Sequence, residues 1–170
     1  MCCDGSVTQI DTEPASLRAV AEQLAAEAAG FVSRRRGEVF GADTSGADGV
    51  VRAKSSPTDP VTVVDTETER LLRERLAELR PGERILGEEE GGPAGPDDGR
   101  LTWVLDPIDG TGNFVYGIAA YAVSVGVQRD GVSVAGAVAD VAAGVVYSAA
   151  LGHGARLTVG GNSTPLHCST

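Results

Sequence analysis

Two carboxylates stand three residues apart in the segment Asp106-Pro-Ile-Asp-Gly-Thr111. An apolar, strand-like run leads into this segment, and a Gly-Thr-Gly turn closes it. Carboxylates that are held close together repel one another unless a cation neutralises them. A turn rich in glycine and threonine offers backbone N–H groups and a hydroxyl, which suit a phosphate group. The segment therefore predicts metal-assisted phosphoryl chemistry.

Further acidic residues lie upstream of this segment. Asp65 lies near the start of a predicted helix, and Glu88 comes just after a short predicted strand. Functional carboxylates gather at strand ends, because the loops there can converge while the sheet stays rigid. We expect Glu88, Asp106 and Asp109 to supply oxygen ligands to Mg²⁺, with the carbonyl of Ile108 as a neutral ligand.

The spacing of the aspartates bears on the mechanism. With two metal ions bound, one would activate a water for attack and the other would stabilise the leaving oxygen. Thr111 would orient that water or bind phosphate. Phosphatases that form an aspartyl-phosphate place their two aspartates two residues apart, whereas Asp106 and Asp109 are one residue further apart. Attack by metal-activated water is therefore favoured, and covalent catalysis is the less supported alternative.

The composition is that of an ordinary globular chain. Of 170 residues, 42% are hydrophobic and 22% are charged, which suits one domain with a real core. The formal net charge of −10 argues against a nucleic-acid partner. No run approaches the roughly 18 apolar residues that span a membrane. The cysteines lack zinc or disulfide spacing and the N-terminus lacks a signal-peptide pattern, so we expect a cytoplasmic protein.

The N-terminal part of the chain is predicted to contain a long helix. Residues 1–13 are polar, and we expect them to be disordered. Apolar residues at helical spacing begin after Pro14. The arginines at 34–36 suit the C-terminal end of this helix, where cations interact favourably with the dipole, and Gly37 is predicted to stop it. We therefore interpret the arginines as a helix end rather than a phosphate site.

The rest of the chain predicts one more helix and then strands. Residues 37–60 read as a long mobile loop, and the apolar spacing predicts a helix from Thr62 to Leu79. A short strand at 84–86 and a flexible connector at 91–99 follow. Helices that precede a mainly antiparallel sheet indicate an α+β fold. Five further strands are predicted at 101–106, 121–128, 132–140, 144–150 and 154–159, with a hairpin turn at 129–131.

Three ordered motifs resemble the inositol monophosphatase family, especially its bacterial members. They are DPVTVVD at 59–65, ILGEE at 85–89 and WVLDPIDGTGNF at 103–114. The resemblance implies a layered αβαβα sandwich of the inositol monophosphatase and fructose-bisphosphatase type. It also implies Mg²⁺-dependent hydrolysis of a phosphate monoester, inositol 1-phosphate, to inositol and phosphate, and a possible homodimer.

The resemblance also implies which residues would bind metal. Glu88, Asp106 and the carbonyl of Ile108 match the ligands of the first ion. Asp106 is similar to the carboxylate that bridges two ions, and Asp109 matches a ligand of the second ion. Glu89 matches a further acid that is often found beside Glu88.

Other residues match the catalytic and phosphate-binding positions of the family. Asp65 resembles the acid that hydrogen-bonds the threonine of the motif, and Glu88 with Thr111 would activate the water. Asp109, Gly110 and Thr111 match residues that contact the substrate phosphate. Gly112 stands where many members carry a second threonine, so contacts there would be fewer.

One family motif is absent from this sequence. The family pattern continues into a Trp-Asp-x-Ala-Ala-Gly segment, but the single tryptophan here, Trp103, is followed by Val104. The segment Asp140-Val-Ala-Ala-Gly144 has a similar skeleton, yet it lies between two strand-like runs and is predicted to be a hairpin turn. Residues 14–170 therefore read as the N-terminal portion of such a domain, with an incomplete sandwich and impaired activity.

Two alternatives to an inositol-1-phosphate phosphatase stay open at this point. One is a sibling phosphatase that acts on a nucleotide bisphosphate, a sugar bisphosphate or histidinol phosphate. The other is a non-catalytic metal-binding fragment that acts through protein association.

Overall fold

The computed structural model describes residues 11–41, 51–53, 60–92 and 98–169. These ranges contain three helices and nine strands. Of the segment 1–13 that we expect to be disordered, residues 1–10 lie outside the described residues, as does most of the loop expected at 37–60. At residues 11–13 the prediction is wrong, because Asp11 accepts from the N–H of Glu13 at 2.9 Å and its carbonyl accepts from Arg80 Nη1 at 2.6 Å. No helix in the described ranges has the length and apolar character needed to cross a membrane.

Helix α1 spans Pro14–Phe40. Glu13 caps its N-terminus by accepting a hydrogen bond from the N–H of Ser16 at 3.2 Å, and proline at the first position has the required φ. The helix packs through small and aliphatic side chains on one face, so it can lie close against the sheet. The buried residues of this face are Leu17, Ala21, Leu24, Ala25, Ala28 and Val32.

The predicted stop of α1 at Gly37 is wrong. The helix continues for another turn because the ring of Phe40 packs edge-on against Phe114, with 5.6 Å between ring centroids. Arg36 also reaches this cluster and donates from Nε to the carbonyl of Phe114 at 3.0 Å. The chain leaves the helix at Gly41, which has extended φ and ψ angles. A contact between distant segments therefore outweighs the weak local preference of Gly37 to end the helix.

Helix α2 spans Val63–Leu79, as the apolar spacing predicts. Thr62 and Asp65 form a capping box at its start. The side chain of Thr62 accepts from the backbone N–H of Asp65, and the side chain of Asp65 accepts from the backbone N–H of Thr62. Just before α2, strands β1 (Val51–Ala53) and β2 (Pro60–Thr62) form a small antiparallel sheet. The prediction of a structureless loop is wrong at these two strands, which are too short to show an alternating pattern.

The main sheet has seven strands, and their spatial order is β3-β4-β5-β6-β7-β8-β9. β3 runs parallel to β4, and every later neighbouring pair is antiparallel. This arrangement confirms the α+β fold with a mainly antiparallel sheet. The strands are β3 Arg84–Gly87, β4 Leu101–Asp109, β5 Ala122–Arg129, β6 Val132–Asp140, β7 Val145–Ala150, β8 Gly154–Val159 and β9 Asn162–Leu166.

Two hairpin turns occur where the sequence predicts them. Asp130 and Gly131 both have positive φ, 50° and 75°, which suits a two-residue turn between antiparallel strands. The segment from Asp140 to Gly144 joins β6 to β7, and the N–H of Gly144 donates to the carbonyl of Asp140 at 3.0 Å. The Asp-x-Ala-Ala-Gly skeleton is therefore a structural turn.

The core lies between the two long helices and one face of the sheet. Trp103, Val125 and Val127 are fully buried on that face. On the opposite face Val138 and Tyr147 are 40% and 46% exposed, beside an open depression of about 790 Å³. Of the expected αβαβα layers, the described residues form one helical layer and the main sheet.

Candidate active site

The site begins at a bulge in strand β4. Asp106 pairs with Ser124 and Asp109 pairs with Ala122, so β4 has one more residue here than β5. In a regular strand, side chains three residues apart point to opposite faces. A bulge changes the direction of the side chains that follow it. The pairing shift therefore allows both carboxylates of the Asp-x-x-Asp segment to contribute charge to one site.

Glu88 is brought to Asp106 by the parallel pairing of β3 with β4. The N–H of Glu88 donates to the carbonyl of Leu105 at 3.1 Å, which fixes the backbone of Glu88 next to Asp106. Burial, a hydrogen bond to Glu88 and the negative charges of Glu88 and Asp109 raise the pKa of Asp106 to about 7. The three acids proposed as metal ligands are therefore close enough to influence one another.

One oxygen of Asp106 is available for a ligand. Asp106 Oδ1 is buried and has no hydrogen-bond partner among the described residues. A buried carboxylate oxygen without a partner is costly unless something else satisfies it. As they stand, no three Asp, Glu, His or Cys side chains in the described part of the chain converge tightly enough to hold a metal ion. The chemistry of the donors nevertheless fits Mg²⁺, because every candidate ligand is an oxygen.

Helix α3 begins directly after this cluster and spans Thr111–Tyr116. Gly110 precedes it with a φ of 86°, and a Cβ there would lie 2.9 Å from the carbonyl oxygen of Ala120. Only glycine meets both the backbone and the space requirement. At Gly112, by contrast, an added Cβ would meet no atom of the described residues within 4 Å. A threonine could fit at Gly112, so its absence leaves only backbone groups at that position.

Thr111 and Asp65 are in direct contact. Thr111 Oγ1 lies 3.0 Å from Asp65 Oδ1 and 2.9 Å from the carbonyl oxygen of Ile108. Asp65 Oδ2 accepts from both the N–H and the hydroxyl of Thr62, at 2.9 Å and 2.5 Å. Burial raises the pKa of Asp65, and the hydrogen bonds from Thr62 and Thr111 oppose that rise. Through these hydrogen bonds, Asp65 connects the start of α2 to the start of α3.

The structure brings the predicted residues together in two adjoining groups. Glu88, Asp106 and Asp109 form the acidic group, while Asp65 and Thr111 meet beside the carbonyl of Ile108.

Sequence reasoning missed Glu69 and Arg73 on α2, which contact the turn that carries Glu88. The sequence signal for Glu69 is an acid one turn after Asp65, on the helix face that also carries Leu72 and Leu76.

The architecture is an α+β fold with acidic side chains and a glycine-threonine turn at one end of its sheet. The chain belongs to the inositol monophosphatase family, whose model matches residues 13–170. Members of this family are metal-dependent in general and act on small phosphate monoesters.

Several named relatives support the assignment. The chain is 71% identical over 157 residues to inositol-1-monophosphatase SuhB of Mycobacterium tuberculosis, covering 89% of this chain and 54% of the relative. It is 66% identical over 167 residues to inositol-1-monophosphatase of Mycobacterium leprae, covering 96% and 57%. The solved structure of M. tuberculosis SuhB matches with a TM-score of 0.75 at 59% identity, covering 94% and 54%. The chain spans about half the length of these relatives.

A more distant enzyme has been solved with two ligands. SaIMPase-II is 32% identical to this chain in both structures. With inositol monophosphate bound, it matches with a TM-score of 0.61, covering 84% of this chain and 46% of that protein. With 2′-AMP bound, the TM-score is 0.63 and the coverage is 89% and 50%.

Proposed function

We propose that this chain carries a Mg²⁺-dependent phosphate monoester hydrolase site that converts inositol 1-phosphate to inositol and phosphate. The observation that carries the proposal is the buried Oδ1 of Asp106, which has no hydrogen-bond partner in the described part of the chain and lies in a cluster of acids beside the Gly110-Thr111 turn. The names of the mycobacterial relatives support the same substrate.

The acidic group is the proposed metal site. Glu88, Asp106 and Asp109 would hold Mg²⁺ through carboxylate oxygens, and Ile108 would contribute its carbonyl oxygen. When bound, Mg²⁺ supplies positive charge that neutralises the acids, activates water and offsets the negative charge of the reacting phosphate. The raised pKa of Asp106 supports this assignment, because its causes are burial of the carboxylate and crowding by other acids, and a cation would offset both.

Thr111 is proposed to orient the attacking water. A threonine hydroxyl has a single proton, and two acceptors lie within reach of Thr111 Oγ1. If the proton goes to Asp65, the carbonyl of Ile108 keeps its lone pairs for a cation. A lone pair of Thr111 Oγ1 is then free to accept a hydrogen bond from water, and Glu88 is the proposed base that takes the proton of that water.

The phosphate is proposed to lie against the turn that starts α3. The resemblance to the family assigns phosphate contacts to Asp109, Gly110, Thr111 and Gly112. Support comes from the hydrogen bond between the N–H of Phe114 and the carbonyl of Gly110, at 3.0 Å. It is the first backbone bond of a helix that begins at Thr111, so earlier N–H groups are not used by the helix.

Phosphate release from inositol 1-phosphate in the presence of Mg²⁺ tests this function. A second substrate class is a nucleotide phosphate monoester, because SaIMPase-II has been solved with 2′-AMP. The assay should therefore compare inositol 1-phosphate with 2′-AMP, a nucleotide bisphosphate, a sugar bisphosphate and histidinol phosphate. Turnover without preference for inositol 1-phosphate contradicts the substrate assignment. Metal binding without any turnover supports the non-catalytic alternative.

Replacing Thr111 with valine should lower the kcat for inositol 1-phosphate by about 100-fold, the scale expected when a group that positions a proton is removed. Valine keeps the shape of the side chain but has no hydroxyl to hold water. The variant Thr111→Ser is the matched control, because it retains the hydroxyl and should keep most of the turnover. Steady-state phosphate release measures both variants. Equal turnover of the valine variant and the original chain would show that Thr111 has no such role.

Location and assembly are also part of the proposal. We propose that the chain acts in the cytoplasm and forms a homodimer, with the family resemblance as support. The net charge of −10 supports a small-molecule substrate over nucleic acid. Light scattering coupled to gel filtration would measure the assembly state, and a monomer across the micromolar range would contradict the dimer.

A further inference from the structure

Glu69 is a fully buried carboxylate on α2, outside the group of residues assigned to chemistry. Its two oxygens accept hydrogen bonds from consecutive backbone N–H groups in the turn after β3. Oε2 accepts from Glu89 at 2.7 Å, and Oε1 accepts from Glu90 at 3.0 Å. One side chain therefore fixes two adjacent peptide groups, and the residue just before them is the proposed metal ligand Glu88.

Arg73 lies one helical turn after Glu69 and completes the contact. Its guanidinium forms an ion pair with Glu69 Oε1, with Nη2 at 2.8 Å. The same Nη2 donates to the carbonyl of Gly91 at 2.5 Å, and Nε lies 3.5 Å from a carboxylate oxygen of Glu90. Arg73 thus compensates the buried charge of Glu69 and also holds the far end of the turn.

Gly87 makes room for this carboxylate. A Cβ at Gly87 would lie 2.1 Å from Glu69 Oε1 and 2.3 Å from its carboxyl carbon, far inside van der Waals contact. Gly87 does not have a positive φ, so glycine is required here for close approach and not for backbone conformation. The absence of a side chain at Gly87 and the position of Glu69 therefore depend on each other.

Glu69 takes no part in capping α2 or in its apolar contacts with the core. The capping box formed with Asp65 stabilises the start of the helix, and Leu72 and Leu76 anchor it in the core. Burying a carboxylate costs free energy that only good partners recover. Those partners are Arg73 and the turn itself. The consequence is local rigidity, because the backbone of Glu88 is also bound to Leu105 on its other side.

We infer that Glu69, held by Arg73, is a positioning residue that fixes the turn of residues 87–91 and so directs Glu88 toward the metal site. This inference rests on the proposed role of Glu88 as a metal ligand. Groups that orient metal ligands through hydrogen bonds commonly change metal affinity by about 10–100-fold when they are replaced. Glu69 touches neither metal nor substrate in this assignment, so its effect passes through the backbone.

The variant Glu69→Gln tests the inference directly. Glutamine keeps the size of the side chain, but it replaces one accepting oxygen with an NH₂ group that faces a backbone N–H. Arg73 also donates to Oε1, so the remaining oxygen stays at that position and the NH₂ group faces the N–H of Glu89. The amide of Glu89 should therefore exchange with solvent at least tenfold faster, as measured by hydrogen exchange of the full chain without metal. The dissociation constant for Mn²⁺, measured by titration calorimetry, should rise about tenfold.

The matched control is Glu74→Gln, the same change at an exposed position of the same helix. It should leave both the amide exchange and the Mn²⁺ affinity unchanged. If Glu69→Gln behaves like this control in both measurements, the inference is wrong. These measurements decide the inference, whereas phosphate release decides the proposed function, so the two can fail separately.

A second set of variants guards against a simple loss of folding. Gly87→Ala should expel the Glu69 carboxylate and weaken Mn²⁺ binding about tenfold. In the Glu69→Ala background the new methyl group fits the vacated space, so Gly87→Ala should then have little further effect. Such non-additivity indicates that both residues act through one contact. Independent, additive losses in the double variant would overturn the inference.

Discussion

Replacing Asp106 with asparagine should remove metal binding and at the same time stabilise the metal-free fold. Both effects have one cause. The carboxylate is surrounded by other acids and has a buried oxygen without a hydrogen-bond partner among the described residues. A cation would relieve that cost, and so would removal of the charge. We expect no detectable Mg²⁺ binding by titration calorimetry, a loss of at least 100-fold in affinity.

The stabilisation should depend on pH in a defined direction. The pKa of Asp106 is raised from 3.8 to about 7 by burial and by Glu88 and Asp109. Between about pH 4 and pH 7 the unfolded chain releases a proton that the folded chain retains. The free energy of unfolding therefore falls as the pH rises through this window. Asparagine does not titrate, so the stability of Asp106→Asn relative to the original chain increases toward pH 7.

The size of this gain is smaller than the full pKa shift implies. A shift of about three units corresponds to about 4 kcal/mol, but the side chain is only half buried and shares its interactions with Glu88. We expect about 1–2 kcal/mol at pH 7 and close to zero at pH 4, from urea unfolding with EDTA present.

The control Asp140→Asn changes the net charge equally. It alters only the turn between β6 and β7, where Asp140 Oδ1 accepts from Ala143 at 2.8 Å. If Asp106→Asn and Asp140→Asn changed the free energy of unfolding equally at both pH values, the proposed crowding of acids around Asp106 would be contradicted.

The sequence predicted those elements whose signals are local. The start of α2 was predictable because Thr62 and Asp65 are three residues apart and the apolar residues that follow have helical spacing. The hairpin at Asp130 and Gly131 was predictable because both residue types tolerate positive φ. The alternation of buried side chains along β4 and β5 likewise appears in the sequence itself.

Other elements depend on contacts between distant segments. The last turn of α1 exists because Phe40 packs on Phe114, 74 positions later, and local sequence around Gly37 has no trace of that contact. Strand β9 was missed because all five of its residues are exposed and show no alternation. It forms only because a Gly160–Gly161 turn folds it back onto β8.

The candidate site also contains some residues that the sequence predicts and others that depend on contacts between distant segments. Order and spacing of acids pointed to Asp65, Glu88 and Asp106, and the structure places Asp65 beside Thr111. The roles assigned to these residues stay predictions. The bulge at the end of β4 could not be predicted, because it depends on the pairing with β5. Glu69 was missed because its partners are backbone N–H groups 20 and 21 positions later.

The two substitutions Asp65→Ala and Asp65→Asn should separate the structural role of this acid from its catalytic role. Alanine removes the acceptor of two donors, the N–H and the hydroxyl of Thr62, and it leaves the hydroxyl of Thr111 with the carbonyl of Ile108 alone. Loss of a helix cap costs about 1 kcal/mol, and each further buried donor adds about 1 kcal/mol. We therefore expect Asp65→Ala to lower the free energy of unfolding by about 2–4 kcal/mol, measured by urea denaturation.

Asparagine at position 65 should affect turnover far more than stability. The backbone N–H of Thr62 can only donate, so the amide oxygen of Asn must stay at the Oδ2 position to accept from it. The NH₂ group then faces Thr111 and reverses the direction of that hydrogen bond. Thr111 is then forced to donate to the carbonyl of Ile108, where its proton competes with a cation for that oxygen. The NH₂ group of Asn also occupies one of the two lone pairs of Thr111 Oγ1, which weakens its hold on the water.

The expected result for Asp65→Asn is a loss of about 1 kcal/mol in stability together with a fall of about 100-fold in kcat for inositol 1-phosphate. Glu13→Gln is a suitable control, because it makes the same acid-to-amide change at the N-cap of α1, on a different helix. That control should leave kcat unchanged. Should Asp65→Asn retain full turnover, or lose turnover only in proportion to the unfolded fraction, Asp65 would be a helix cap and nothing more. A catalytic contribution requires that the direction of its hydrogen bond to Thr111 matters.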